Sequence, residues 1–196
     1  MELEIAEVDA SRLAEYATIP SNYRVMQRLV RLPSTSHEPG SLSVQAVTNP
    51  YDKDYDAPPG MSPTSWPSHF DLRSWGLLIA RRSGRAIGAA AIAPSIEVMP
   101  EAEWTEPTAV LWDLRVAPEH RREGIGAALF RAAERWALRN AYGAIAVETQ
   151  DVNVTAARFY EAMGCALLSF EPSAYQDVPG EARLVYHRPL SAEQAR

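Results

Sequence analysis

The stretch Leu111-Trp112-Asp113-Leu114-Arg115-Val116-Ala117-Pro118-Glu119-His120-Arg121-Arg122-Glu123-Gly124-Ile125-Gly126 constrains this chain more than any other. Its apolar first half reads as a strand, and Pro118, which has no N–H to give to a ladder, ends it. From Ile125 onward, Leu129, Ala132, Ala133 and Trp136 return at helical spacing, so a helix to about Asn140 lays one apolar stripe on a sheet. Strand, tight turn and helix amino terminus therefore follow one another directly. The first turn of such a helix has backbone N–H groups without intrahelical acceptors, and its dipole favours negative charge. Gly124 and Gly126 remove Cβ atoms there, which permits positive φ and lets phosphate oxygens approach the main chain. Arg121 and Arg122 add positive charge beside it. The segment reads as an anion cradle of an unusual kind: no Lys-Ser/Thr pair follows the second glycine, and no GxGxxG is present.

The rest of the chain supplies the sheet. Glu2 to Val8 alternates as a short strand, and Ser11 is placed to cap a brief helix through Tyr16. Residues 22–31 and 41–47 flank a turn-like 34–40 and read as a hairpin, followed from Asn49 to Trp75 by an aperiodic, Pro- and Asp-rich loop on the substrate side with room for one turn of helix. A second hairpin joins 77–80 to 86–92, the strand 109–116 leads into the cradle, and 144–147 is a buried strand. A helix over 154–163 closes at Gly164, and 165–170 and 183–187 are the last strands. This order predicts an α/β fold with a mixed central β-sheet flanked by helices. Length points to one domain over 1–196, with 22–76 an elaborated hairpin and loop.

Charge and cysteine usage narrow the partners. A formal net charge of -6 disfavours nucleic acid, which requires a concentrated basic surface, and suits a cationic small molecule. Cys165 is the only cysteine, so no intrachain disulfide forms and a reduced, cytoplasmic setting is expected. Met1 to Ala10 carries three glutamates and an aspartate, unlike an export signal, and no apolar run is long enough to span a bilayer. His37, His69, His120 and His187 lack metal-ligand spacing, so no metal is expected. A homodimer is compatible with these features and required by none of them.

The arrangement Val-x-Pro-x-x-Arg-Arg-x-Gly-x-Gly resembles the signature of the GNAT superfamily of N-acetyltransferases, Arg/Gln-x-x-Gly-x-Gly/Ala, at Arg121, Gly124 and Gly126. The resemblance implies the GNAT fold, splayed between its central strands, with acetyl-CoA as cosubstrate. It implies that the turn of Arg121, Arg122, Gly124, Ile125 and Gly126 holds the pyrophosphate, and that main-chain groups of Leu114 and Val116 meet the pantetheine arm as an added strand. Downstream, Asn153-x-x-Ala156-x-x-x-Tyr160-Glu161-x-x-Gly164 resembles the second half of the family pattern, which implies that Asn153 contacts the cofactor and Tyr160 sits beside its sulfur. Aminolysis of a thioester expels a thiolate, and a phenol of pKa about 10 can protonate it, so Tyr160 is the candidate general acid. The alternative is an aromatic packed at the core edge. Asp113 and Glu148 are the nearest acids for a general base, with a relayed water as the other route. Some family members place a glutamate early in this strand, where this chain has Val110. Asp113 reads equally as a buried acid paired with Arg115.

Three stretches, Pro50 to Asp56, Leu111 to Val116 and Val147 to Val154, resemble the streptothricin acetyltransferases within that superfamily. The resemblance implies a β-lysine amine of a cationic antibiotic as acceptor, a role in antibiotic resistance, and a pocket lined by Asp52, Asp54, Asp56, Asp113 and Glu148. The chain departs from the pattern at Asp151, where an asparagine is typical, and at Thr155-Ala156-Ala157, where Pro-Ala-Cys is. Those acids also suit a solvated loop, and Trp66, Phe70 and Trp75 either line an acceptor cleft or anchor the loop on the core. Two further functions fit the same motifs, a peptide or protein N-terminal acetyltransferase and a non-catalytic acyl-CoA sensor.

Overall fold

The computed structural model describes residues 2–32, 42–172, 174, 175, 178 and 180–191, and the expected turn at 34–40 lies outside them. The elements are β1 (Leu3–Val8), α1 (Leu13–Tyr16), β2 (Tyr23–Arg31), β3 (Leu42–Lys53), β4 (Gly76–Arg82), β5 (Arg85–Pro94), α2 (Ser95–Val98), β6 (Thr108–Val116), α3 (Ile125–Arg139), β7 (Ala144–Gln150), α4 (Val154–Ala162), β8 (Ala166–Pro172) and β9 (Ala182–Pro189). Seven strands form a mixed sheet in the order β1-β4-β5-β6-β7-β9-β8, and β2 and β3 form a separate antiparallel pair. Two compact units divide the chain: Met1–Asn22, Asp54–Ala146 and Arg188–Arg196 make the first, Tyr23–Lys53 and Val147–His187 the second. Among the described residues no helix is long and apolar enough to cross a membrane.

In the first unit, Leu77 to Ala80 and Ala89 to Ala93 are buried without interruption, as strands covered on both faces must be. One face takes α3, whose Ile125, Leu129 and Trp136 are buried against it. The approach is close enough to require glycine. A Cβ on Gly88 would stand 2.9 Å from the Ile125 methyl, and one on Gly76 would stand 2.5 Å from the Trp136 ring. The other face packs Leu77, Ile79 and Ala91 with Leu13, Tyr16 and Trp66. Trp66 is 2% exposed and meets the rings of Tyr16 and Trp75 at 5.4 and 6.0 Å, while Phe70 stands 5.2 Å from Trp112. Of the two readings of these aromatics, anchoring the loop on the core is the one found. Burying each such ring stabilises by about 2 kcal/mol or more.

The remaining differences from expectation are local. The first helical turn is a 3-10 turn over Ala10–Arg12, capped by Asp9, whose carboxylate accepts from the Ser11 N–H at 2.8 Å, so Asp9 rather than Ser11 is the cap. β3 runs to Lys53 because Asp52 and Tyr51 still find partners in Arg24 and Val25 across a bulge. Within the segment expected as loop, Pro63–Ser68 and Leu72–Ser74 wind into 3-10 turns. In the second unit, α4 closes at Gly164 with φ +82°, and fully buried Asp151 accepts from the Arg28 guanidinium and the Ala182 N–H, both at 2.8 Å.

Candidate functional site

β6 is held unequally on its two sides. Against β5 it is matched from Ala109, opposite Pro94, to Val116, opposite Gly88, with a register shift that leaves Trp112 as an extra, bulged residue. Against β7 it is matched in parallel at Thr108, Ala109 and Val110 alone, opposite Ala144, Ile145 and Ala146. From Leu111 to Val116, among the described residues, β6 has no matched partner in β7. A strand edge without a matched neighbour is one on which another amide-bearing chain can pair.

The turn after β6 is backbone-strained and tied down from outside. Arg122 and Gly124 both take left-handed conformations, with φ of 69° and 83°. A Cβ at Gly124 would meet nothing within 4 Å, so the glycine is required by its φ and not by crowding. A left-handed arginine costs of the order of 1 kcal/mol, and such strain persists where the surroundings fix the backbone. Here Arg82 Nη1 meets Glu123 Oε2 at 2.6 Å and holds that carboxyl below its ordinary pKa range, and Arg85 meets Glu119 at 3.3 Å. The Arg121 guanidinium donates to the Val116 and Asn22 carbonyls, both at 3.0 Å, so besides carrying charge it braces strand end to turn. The first bond of α3 runs from the Ala128 N–H to the Gly124 carbonyl at 3.0 Å. The N–H groups of Ile125, Gly126 and Ala127 come before that bond, and no side chain caps the helix. A glycine turn open to approach, followed by peptide N–H groups that precede the first helical bond, fits a diphosphate.

Asp113, the candidate base, is heavily engaged. Its Oδ1 accepts from the Tyr16 hydroxyl at 2.6 Å and from Arg115 Nε at 2.8 Å, and its Oδ2 accepts from Arg115 Nη2 at 2.8 Å. The same guanidinium reaches both oxygens of Asp56, at 2.8 and 3.0 Å, and the Ile19 carbonyl at 3.0 Å. Burial works against the charge of Arg115, yet Asp113 and Asp56 more than offset it and hold its pKa above the ordinary value. Burial first, and the Asp113 charge second, push the Tyr16 hydroxyl well above its usual range, so it stays a donor.

The second unit carries the other candidates. Asn153 caps α4, its side-chain oxygen accepting from the Ala156 N–H at 3.1 Å. Tyr160, on the same helix, is 7% exposed, with its ring 5.3 Å from Phe159 and 6.1 Å from Tyr186. Glu148 accepts from the Tyr175 hydroxyl at 2.8 Å.

The structure thus places Asp113, Leu114, Val116, Arg121, Arg122, Gly124, Ile125 and Gly126 on one continuous strand, turn and helix start of the first unit, and Asn153 and Tyr160 on one helix of the second. The five acids expected to line a pocket each have their own partner or setting. Asp52 pairs with Arg24 and is 74% exposed, Asp54 accepts from the Ser21 hydroxyl at 2.9 Å, and Asp56 and Asp113 share Arg115. Tyr16 and the Ile19 carbonyl were invisible from sequence, since Tyr16 lies 97 positions from Asp113 and no local pattern joins them.

Residues 45–165 match the model of the Acetyltransferase (GNAT) family. Streptothricin acetyltransferase A of Bacillus subtilis (strain 168) is 32% identical over 71 residues, covering 36% of this chain and 41% of that protein. The streptothricin acetyltransferase of Streptomyces lavendulae is 36% identical over 69 residues, covering 35% and 36%. The chain therefore matches about two fifths of the length of these relatives. Among solved structures, a protein of Bacillus anthracis str. Ames assigned as a streptothricin acetyltransferase, in complex with acetyl coenzyme A, superposes with a TM-score of 0.76 at 22% identity, covering 96% of this chain and 100% of that one. Nourseothricin acetyltransferase follows with a TM-score of 0.73 at 19% identity, covering 97% and 100%. At such identities the likeness is one of fold.

Proposed function

Because the chain belongs to the GNAT acetyltransferase family, we propose that it moves an acetyl group from acetyl-CoA to a primary amine of a small cationic acceptor of the streptothricin type. The observation that carries the reading is β6, whose matched pairs with β7 among the described residues end at Val110 and which runs into a glycine turn whose helix N–H groups have no intrahelical acceptor. Main-chain groups of Leu114 and Val116 pair with the pantetheine arm, and the N–H groups at Ile125 and Gly126 hold the diphosphate.

Acetyl-CoA supplies an acyl carbon already activated as a thioester. A strand N–H between Leu114 and Val116 donates to the acyl oxygen as negative charge builds there. The amine nitrogen must be neutral to form the new C–N bond, and a carboxylate or a water it orders removes its proton. Asp113 is the acid on this strand, and its two occupied oxygens favour the supporting role developed below. Tyr160 gives its proton to the departing sulfur, and Asn153 fixes the start of the helix that carries Tyr160.

The acceptor class rests on the names of the curated relatives and on charge. Asp56 and Asp113 against Arg115 leave that cluster with one formal negative charge, and the whole chain carries -6. The test is release of free thiol from acetyl-CoA over a panel containing streptothricin, simple polyamines and peptides with free amino termini. Release with streptothricin and not with peptides is expected. Release with peptides alone indicates an N-terminal acetyltransferase, and tight acetyl-CoA binding with no release on any amine indicates an acyl-CoA sensor.

A further inference from the structure

We propose that Arg115 is a positioning residue for acetyl transfer, clasping Asp56 and Asp113 so that the start of the acceptor-side loop is registered on the strand that would carry the thioester. The inference rests on the acetyltransferase reading above and extends it to Arg115 and the two carboxylates it holds.

The geometry is unusually complete. Arg115 has five N–H donors, and each has an acceptor: Nε and one Nη2 hydrogen on Asp113, the other Nη2 hydrogen and one from Nη1 on Asp56, the last on the Ile19 carbonyl. Its guanidinium carbon also stands 5.3 Å from the centre of the Tyr16 ring, and Tyr16 returns its hydroxyl to Asp113. One side chain, 3% exposed, thereby ties together three stretches of chain far apart in sequence: the end of α1 and its following turn, the head of the 54–75 segment, and β6.

Two arguments make this positioning rather than bulk stabilisation. A buried ion network is a poor source of stability, since desolvating its charges costs about as much as their attraction returns. The clasp also sits where the sheet offers least support. Asp113 follows the Trp112 bulge directly, and from Leu111 on, among the described residues, the matched partner of β6 is β5. The planar fork of arginine meets two carboxylates at fixed angles, which a lysine cannot do.

The test is steady-state kinetics of Asp56→Asn and Arg115→Lys with the amine and acetyl-CoA varied separately, together with amide hydrogen exchange of residues 54–58. Asp56→Asn is expected to raise the KM for the amine about tenfold, to leave the acetyl-CoA KM unchanged, to lower Tm because a buried guanidinium loses a bidentate partner, and to speed exchange over 54–58. Arg115→Lys is expected to lower kcat by roughly a hundredfold, the scale of a small misplacement of reacting groups. Asp56→Glu should recover most of the loss. An amine KM that stays at the wild-type value in Asp56→Asn, or one that rises in step with the acetyl-CoA KM, overturns the inference alone. A wild-type chain that binds acetyl-CoA and acetylates no amine overturns the reading beneath it, while the exchange data still report whether the clasp holds the loop.

Discussion

Val110 stands opposite Ala146 in the last matched pair between β6 and β7, and among the described residues the matched partner of β6 from there to Val116 is β5. Peptide groups on such an edge open and exchange readily, and a ligand that pairs with them suppresses both. Saturating acetyl-CoA is therefore expected to slow amide hydrogen exchange over 111–116 and 124–127 while leaving β1 at its apo rate. At one hundred times Kd the same binding adds about 2.7 kcal/mol to stability, visible as a raised Tm. Protection confined to other strands would rule out this edge as the donor rail.

Gly124 isolates backbone conformation from packing, because its φ is +83° and a side chain there meets open space. Gly124→Ala forces an L-residue into the left-handed region at a cost of about 1–2 kcal/mol. The turn relaxes, and acetyl-CoA affinity falls with stability. Gly124→Asn should lose less of both, since asparagine tolerates that region. Calorimetric titration with acetyl-CoA beside thermal melts checks the order Gly, Asn, Ala.

Tyr160 is assigned a proton, and its hydroxyl can be removed while its buried ring stays in place. Tyr160→Phe should keep Tm near wild type and reduce kcat by about 10²–10⁴-fold, the usual worth of a positioned acid. Full turnover in that variant, with an unchanged pH–rate profile, would return Tyr160 to its other reading as a packed aromatic.

How much of this was legible beforehand follows from how local each signal is. Pro118 and the stripe beginning at Ile125 fix the end of β6 and the start of α3 by chemistry within a few residues, and the observed bounds, Val116 and Ile125, agree. The same holds for Gly164 after α4. Ser11 is the expected cap, but Asp9, two positions earlier and equally suited by residue type, takes the role by accepting from the Ser11 N–H. α2 is a single turn over Ser95–Val98, too short to show a period. The acids were the hardest to read. Asp52 and Asp56 look alike in a Pro- and Asp-rich run, yet one lies on an exposed strand against Arg24 and the other against Arg115, a choice made by tertiary packing.

The Glu15–Arg81 pair gives a pH signature away from the site. Arg81 meets Glu15 at 2.7 and 2.8 Å, and this bond, with a smaller contribution from Arg12, lowers the Glu15 carboxyl from 4.5 to about 2. A carboxyl whose folded pKa lies below its unfolded one contributes stability above about pH 4.5 and loses it as pH falls towards 2. Because the side chain is 21% exposed, its contribution is about 1 kcal/mol. Glu15→Gln should thus be less stable than wild type at pH 7 and equal to it near pH 2, as followed by urea unfolding across that range.

Asp113→Asn separates the two roles open to that residue. If Asp113 were the base, the change would remove the acid limb of the pH–rate profile and most of kcat while leaving Tm nearly untouched, since a base exposed to an amine is replaced there by an isosteric amide. The observed contacts argue the other way. Oδ1 and Oδ2 each accept from Arg115, and Oδ1 also accepts from Tyr16, whose hydroxyl is fully buried and held protonated. An asparagine presents one acceptor where three donors converge, and its amide N–H groups would face a guanidinium. Arg115 keeps Asp56 and the Ile19 carbonyl, so the loss falls at the low end for a broken buried pair, about 3 kcal/mol, or roughly 6–12 °C in Tm for a chain of this size. The acid limb should remain in place and the KM for the amine should rise, because the loop registered through Asp56 loses its anchor on β6. Melting curves and a pH–rate profile on the same preparation decide between the two: a stable variant without its acid limb makes Asp113 the base, and an unstable variant that keeps the limb makes it part of the clasp.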